Sequence, residues 1–412
     1  MSDETSRIDR RAFLKTATGL GIASVIGATS KAFGTDANTP KPADANSQGK
    51  RRFEQVPRRK LGKTNVMVPI LNLGGIFDTV ENQLILRRAI DWGITYWDTA
   101  WGYNNGNSEI GMGNFIGKNP KLRKELFVVT KTTGARDIAD MKAKLDESLK
   151  RLQTDYVDLL FWHGLDNPDI LTDEVKNFAA QAKKEGKIKF YGFSTHSNMA
   201  KTMAAASKLD WIDVIMTKYS FREMQDKEMQ DAVDACYKSG IGLVAMKTQA
   251  KGPTPEDPNN PLGQFMEKGF TKEQACLKAI WQDERIASIC SAMTNIAILT
   301  ANVSAALDKT RLTEADMEIF RQYAQASCSG YCAGCTEICR AAMPEIPVGD
   351  IMRYVMYHDS YGSKALAKQE FATIDAAVRE RLANIDFGAV EMVCPNRLPI
   401  GQLIRDAAVK LA

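Results

Sequence analysis

Histidine is scarce in this chain: 412 residues hold only three, which argues against a multi-histidine metal site. A bias of charge is also missing. Lys and Arg total 54 against 50 Asp and Glu, a net charge of +4, so there is no electrostatic case for nucleic acid or an anionic membrane surface. No comfortable membrane span is present either; the mildly apolar stretch Thr16 to Ser30 is short and rich in Ala and Gly. No repeat recurs at a fixed period. The length suffices for one large barrel plus a smaller appendage.

What is present begins with an address. Arg10-Arg11-Ala12-Phe13-Leu14-Lys15 is a twin-arginine pattern, followed by the Ala- and Gly-rich stretch, with small residues near Ala28 to Ala32 for a cleavage site. Residues 1–32 therefore read as an export signal, which implies a periplasmic or otherwise exported protein and the twin-arginine translocase as a partner. Residues 33–56 turn to Pro, Asp, Asn, Ser, Gln and Lys, which cannot bury a core. That stretch reads as a linker.

From residue 57 to about 320, strand-like apolar runs alternate with amphipathic helical runs. Strands are expected at 70–75, 95–100, 126–131, 156–163, 190–196, 214–220, 241–248 and 288–293. Helices are expected at 81–92, 138–152, 173–185, 199–209, 226–238 and 271–284. In the second of these, Leu145, Leu149 and Leu152 fall on one face at spacings of four and three. Eight strands alternating with helices predict an α/β fold, a (β/α)8 barrel, with a helical, cysteine-rich extension over residues 321–412.

Such barrels carry their chemistry where strands end. The second expected strand ends in Asp98 with Tyr103 just beyond, the third in Lys131 and the fourth in His163. Four titratable groups at three consecutive strand tips are more specific than any one alone, because an isolated Lys or Asp there is often a surface ion pair. The set resembles the tetrad of the aldo-keto reductase family, which implies carbonyl reduction, a reaction in which the oxygen needs a proton. A phenol of pKa about 10 is a weak acid near neutrality, so an ammonium at Lys131 would serve by lowering the pKa of Tyr103. Asp98 would hold Lys131, and His163 would donate to the carbonyl oxygen.

The segments WDTAWGY with NSE, VVTK and DLLFWH resemble the aldo-keto reductase family over roughly Arg58 to Leu307, and all four tetrad positions match. The resemblance implies hydride transfer between a nicotinamide cofactor, NADP(H), and a small carbonyl or alcohol substrate. It also implies that Ser194 holds the nicotinamide carboxamide and Tyr219 stacks on the ring. The stretch from Ser291 through Met293 to Asn302 would lie at the adenosine 2′-phosphate. The sequence departs from the family at Thr195, where Asn is usual, and at Met216, where Gln is usual. No Lys or Arg occupies the 2′-phosphate stretch. Met cannot usefully hydrogen-bond an amide. The loop Lys251 to Pro261 could fold over a bound cofactor.

Five of the eight cysteines fall after residue 327, at Cys328, Cys332, Cys335, Cys339 and Cys394. Cys332-x2-Cys335-x3-Cys339 matches part of the bacterial ferredoxin run, and Cys394-Pro395 carries the proline that normally closes it. The favoured reading is a [4Fe-4S] cluster on Cys332, Cys335, Cys339 and Cys394, with Cys328 the alternative fourth ligand and a redox partner implied. Disulfides and structural zinc are the rivals. The phrase from Ile346 to Phe371 resembles the extension of iron–sulfur members of the family, and its Met and Tyr residues are expected to pack. Cys236, Cys276 and Cys290 are expected to be buried and inert. Against the reductase stands a second reading, an exported electron-transfer or ligand-binding protein that kept the barrel and lost NADPH turnover.

Overall fold

The computed structural model describes residues 53–249, 261–327, 332–360 and 364–412. The export signal, most of the linker, the loop at residues 250–260 and Cys328 lie outside the described residues. From Phe53 onward the chain is one compact unit.

A short antiparallel hairpin, β1 (Arg58–Lys60) and β2 (Met67–Pro69), comes first. Eight parallel strands follow: β3 (Leu71–Gly74), β4 (Tyr96–Asp98), β5 (Phe127–Thr132), β6 (Val157–Trp162), β7 (Ile188–Thr195), β8 (Val214–Lys218), β9 (Gly242–Met246) and β10 (Ile286–Ser291). They close into a barrel in sequence order, β10 pairing back onto β3 through Ile289 and Leu71. Each expected strand is present. The runs are apolar because a parallel strand is covered on both faces: all six residues of β5 are buried. Inside the barrel Tyr96, Val129, Phe161, Met216 and Val244 pack together, and Leu61 and Val68 of the hairpin join that core.

The outer helices are α1 (Gln83–Asp91), α2 (Asn107–Lys118), α3 (Ile138–Arg151), α4 (Asp173–Lys184), α5 (Met199–Ala206), α6 (Lys227–Lys238), α7 (Lys272–Trp281) and α8 (Ile296–Leu307). Leu145, Leu149 and Leu152 face inward as expected, none more than 9% exposed. The starts are chemically marked. Asp137, Thr172 and Asp226 each accept a hydrogen bond from a first-turn amide, and Thr271 with Gln274 forms a full capping box. A cap of this kind is worth about 1 kcal/mol.

Beyond the barrel come α9 (Glu314–Ser327), α10 (Thr336–Ala342), α11 (Val348–Val355), α12 (Lys364–Ala372), α13 (Ala376–Arg381), α14 (Gly388–Val393) and α15 (Ile400–Lys410). The extension has its own core, in which Ile351, Phe371, Leu382, Val390 and Ile404 are buried. Within the described residues no helix is long and apolar enough to cross a membrane.

Candidate active site

Strand β4 delivers Asp98 to the barrel's C-terminal rim, and the chain then turns sharply. Asn104 and Asn105 take left-handed backbone angles (φ 52° and 55°), which Asn tolerates better than other side-chain-bearing residues. That turn brings Tyr103 back over the rim. Ser108, at the start of α2, fixes the turn by donating to Gly75 O at 2.5 Å and meeting the Thr99 hydroxyl at 2.6 Å.

Lys131 and Asp98 form a fully buried ion pair at 2.5 Å, and the ammonium also donates to Thr99 O at 2.7 Å. The Lys131 ammonium lies 4.6 Å from the centre of the Tyr103 ring, against its face. The Tyr103 and His163 rings meet edge to face at 5.5 Å. The structure thus brings all four predicted groups together.

One expectation is corrected. Burial, followed by the charge of Asp98, pushes the Tyr103 phenol well above its ordinary pKa. Lys131, paired with Asp98, bonded to Thr99 O and meeting the tyrosine at its ring face, does not outweigh burial. Tyr103 is therefore held protonated, as a proton donor must be. His163 is pushed well below its ordinary pKa by burial first and then by Lys131, Arg353 and Lys247, so it is neutral. Its Nδ1 lies 2.7 Å from the Thr133 hydroxyl, and that hydroxyl accepts from Gly102 N at 3.2 Å. Donation of the Thr133 hydrogen to Nδ1 would put the imidazole proton on Nε2, facing the rim. Gly102 is required there: a Cβ would stand 2.9 Å from the Thr133 methyl. Thr133 was missed in the sequence and carried no signal beyond its place two residues after Lys131.

Cys290 is a free, partly buried thiol; burial, then the charge of Asp98, pushes its pKa well up, which keeps it unreactive as expected. Cys236 and Cys276 are buried as expected.

The residues nominated for the nicotinamide dinucleotide are closed. The Ser194 hydroxyl, on a residue 1% exposed, accepts from Gly164 N at 3.0 Å. Tyr219 is wholly buried and donates to Asp283 at 2.6 Å, with Gln230 donating to its oxygen at 3.0 Å. No ring face is left to stack on. Met216 and Met293 are core residues, and Asn302, 2% exposed, donates to Ser291 at 3.0 Å. As a set these residues do not fit that cofactor. Part of the extension lies directly on this rim. Asn198 N donates to Gly334 O at 3.1 Å, and Lys218 donates to the Cys332 and Ala333 carbonyls at 3.4 Å. Gly334 has φ 80°, and a Cβ there would stand 2.7 Å from His196 O.

Cys332, Cys335, Cys339 and Cys394 converge on one pocket with Val348, Met352, Leu398 and Ile400. The described cysteines are all free thiols, so no disulfide forms among them. Burial first, then Cys335, Cys332 and Cys394, pushes Cys339 up to about 12. Backbone amides donate to sulfur at Cys394, from Leu398 at 3.5 Å, and at Cys332, from Gly334. Among the described residues, no three His, Cys, Asp or Glu stand close enough to share one metal ion.

The fold is thus a closed eight-stranded parallel barrel with Asp98, Tyr103, Lys131 and His163 gathered at the ends of adjacent strands. The sequence model of the aldo/keto reductase family matches residues 72–324, and the chain belongs to that family. L-glyceraldehyde 3-phosphate reductase of Escherichia coli K12 is 28% identical over 223 residues, 49% of this chain and 64% of that protein. The chain thus spans less than two thirds of that relative's length. The uncharacterized oxidoreductase YqkF of Bacillus subtilis is 26% identical over 304 residues, 65% of this chain and 96% of its own. Among solved structures, the thermostable aldo-keto reductase Tm1743 superposes with TM-score 0.54 at 27% identity, covering 65% of this chain and 99% of that one. Aldo-keto reductase AKR11C1 from Bacillus halodurans has a TM-score of 0.56 at 24% identity, covering 65% and 96%, a likeness of fold.

Proposed function

We propose that this protein is an oxidoreductase that interconverts a carbonyl and an alcohol on a small molecule, with Tyr103 handling the proton at oxygen. The observation that carries the reading is the packed set of Asp98, Lys131, Tyr103 and His163. A neutral His163 with its proton on Nε2 and a protonated Tyr103 are two donors for one carbonyl oxygen. They stabilise the charge that develops there as the carbon is reduced. Lys131 and Asp98 position the phenol through its ring and through the backbone at Thr99. Family membership implies NAD(P)(H) as electron carrier, although Ser194 and Tyr219 are closed and do not fit it.

The four converging thiols support a [4Fe-4S] cluster as a resident group, held by Cys332, Cys335, Cys339 and Cys394. Cys332, Cys335, Cys339 and Cys394 line one pocket, which is the observation behind this reading. Amide donors to sulfur are among the features that tune such clusters. When bound, the cluster supplies one-electron transfer. The twin-arginine pattern supports export, and Arg10→Lys with Arg11→Lys should retain the precursor in the cytoplasm; a variant still found outside the inner membrane would end that reading.

The test of the main reading is Tyr103→Phe. Carbonyl reduction, assayed with NADPH, NADH and dithionite-reduced viologen as alternative electron sources, should fall at least about 100-fold, the usual worth of a positioned general acid. A rate within a few-fold of the parent refutes the assignment. The closed anchors and the extension lying on the rim favour one second reading, an exported electron-transfer or ligand-binding protein without NADPH turnover. Activity with viologen but with neither dinucleotide would support a catalyst fed through its cluster, and no reduction from any source would support the non-enzymatic reading.

A further inference from the structure

The rim continues past the tetrad as a basic arc. After His163 at the end of β6 come His196 at the end of β7, Lys218 closing β8 and Lys247 just after β9, on adjacent paired strands. Arg353 and Tyr357 of the extension reach the same place: Arg353 and Lys247 both act electrostatically on His163 and His196, and the Lys247 ammonium faces the Tyr357 ring at 4.7 Å.

Most of these cations are matched. Lys131 has Asp98 at 2.5 Å, Lys218 has Glu223 at 3.0 Å, and Arg353 has Asp350 at 2.9 Å. Lys247 is not: its buried ammonium has no hydrogen-bond partner among the described residues, and neither has the buried Nδ1 of His196. Burial, then Arg353 and Lys218, push the Lys247 pKa well down, so an ammonium there is costly until an anion joins it. Lys247 also takes a left-handed backbone angle (φ 57°), a conformation a lysine holds only where its surroundings enforce it. Cost and strain at one side chain on the catalytic rim are what a site bears when its missing counter-charge arrives with the ligand.

We propose that Lys247, flanked by His196 and Arg353, binds the carboxylate of an oxo-acid substrate and presents its carbonyl to Tyr103 and His163. The proposal rests on the carbonyl–alcohol reading above and adds the substrate class: carbonyl compounds bearing a carboxylate a few bonds away.

The experiment compares 2-oxo and 4-oxo acids of three to six carbons with their methyl esters, on the full chain, its Lys247→Met variant and its Lys247→Arg variant. The parent should favour acids over esters in kcat/KM. In Lys247→Met that ratio should fall about 10- to 100-fold, mainly through KM, as expected for loss of a charge-assisted hydrogen bond. Lys247→Arg should restore most of it. Calorimetric titration with succinate and oxalate gives a readout free of turnover: the parent binds, and Lys247→Met does not. A thermal melt for Lys247→Met at or above the parent's excludes misfolding as the cause.

No acid preference in the parent, with no succinate or oxalate binding, overturns the proposal. So does a Lys247→Met variant that loses NADPH or NADH affinity while treating acids and esters alike, which would give Lys247 to a dinucleotide phosphate. Loss of bound iron with an unchanged acid-to-ester ratio would instead make Lys247 a counter-charge for the thiolates. Succinate binding that depends on Lys247 in a protein reducing no carbonyl at all would uphold the anion site and defeat the carbonyl–alcohol reading.

Discussion

Replacing Lys131 by Met should destabilise the protein by about 3–5 kcal/mol at neutral pH, the cost of stranding one member of a buried ion pair. Asp98 and Lys131 have side chains 2% and 1% exposed, so water cannot take over the solvation of whichever charge remains. Met fills nearly the volume of the lysine stem, which keeps the cavity contribution small. The Thr99 carbonyl also loses its donor, a further loss of about 1 kcal/mol. Against a total stability of roughly 5–15 kcal/mol for a folded domain, this is a large fraction.

The penalty depends on pH in a definite direction. Burial raises the pKa of Asp98, and Lys131 is the largest effect opposing that rise. Without Lys131 the folded-state pKa rises further above the unfolded value. Such a group favours the folded state below its folded pKa and costs stability as pH climbs through it, by about 1.4 kcal/mol per unit. The variant's deficit should therefore be smaller at pH 5.5 than at pH 8. Asp98→Asn, which strands the ammonium instead, should cost a similar amount at pH 8. The double variant Asp98→Asn/Lys131→Met should recover about 2–4 kcal/mol relative to the sum of the singles, because neither charge is then left alone. Urea midpoints and slopes for the four proteins measure all of this. Single variants within about 1 kcal/mol of the parent, or strictly additive effects, would show that the pair is solvated and that its burial does not govern the site.

Two further outcomes are expected. Asp283 is buried, which alone would raise its pKa, yet hydrogen bonds from Arg285 and Tyr219 outweigh burial and hold it below the ordinary carboxylate value; its stabilisation is present above about pH 4 and lost as pH falls further, so acid unfolding should be shallower in Asp283→Asn, and an unchanged profile would remove Asp283 as a contributor. Anaerobically purified protein should be brown, with equal iron and sulfide, and Cys394→Ser should cost more iron than Cys328→Ser, since Cys394 lines the pocket with Cys332, Cys335 and Cys339; the reverse ranking would make Cys328 the fourth ligand, and colourless protein containing zinc would exclude the cluster.

The barrel was legible because a parallel strand covered on both faces must be apolar throughout and must end where polar residues begin. The same rule placed Asp98, Lys131 and His163 at strand tips. Helix α2 escaped the pattern through its three glycines, Gly111, Gly113 and Gly117, which weaken the helical signal. They are there for contact: a Cβ on Gly113 would stand 2.0 Å from Arg151 O, and one on Gly111 2.2 Å from the Thr79 hydroxyl. Helix α8 was read as a cofactor segment because its composition is compatible with both.

Tyr219 shows where proximity along the chain misleads. It follows Lys218, whose ammonium reaches the Cys332 carbonyl on the rim. The next side chain along an extended backbone points the other way, and Tyr219 accordingly ends among Asp283, Gln230 and Arg285. Its aromatic character signalled burial as strongly as stacking, and only the register decides between them.

Arg353 and Tyr357 could not have been assigned from sequence at all, since more than a hundred residues separate them from Lys247 only in the sense that the chain must first complete the barrel and then return to its mouth. What determines their role is the docking of the extension at Gly334 and Lys218. That docking places the extension's guanidinium and phenol where they act on His163 and Tyr103. The tetrad supplies a proton donor that almost any carbonyl could use. The choice among carbonyls must come from groups that vary around it, and here those groups are cationic, drawn partly from strand tips and partly from the extension. Under the proposed reading, a barrel rim that pairs Lys131, Lys218 and Arg353 with carboxylates and leaves Lys247 Nζ without a hydrogen-bond partner would discriminate by charge first and by shape second.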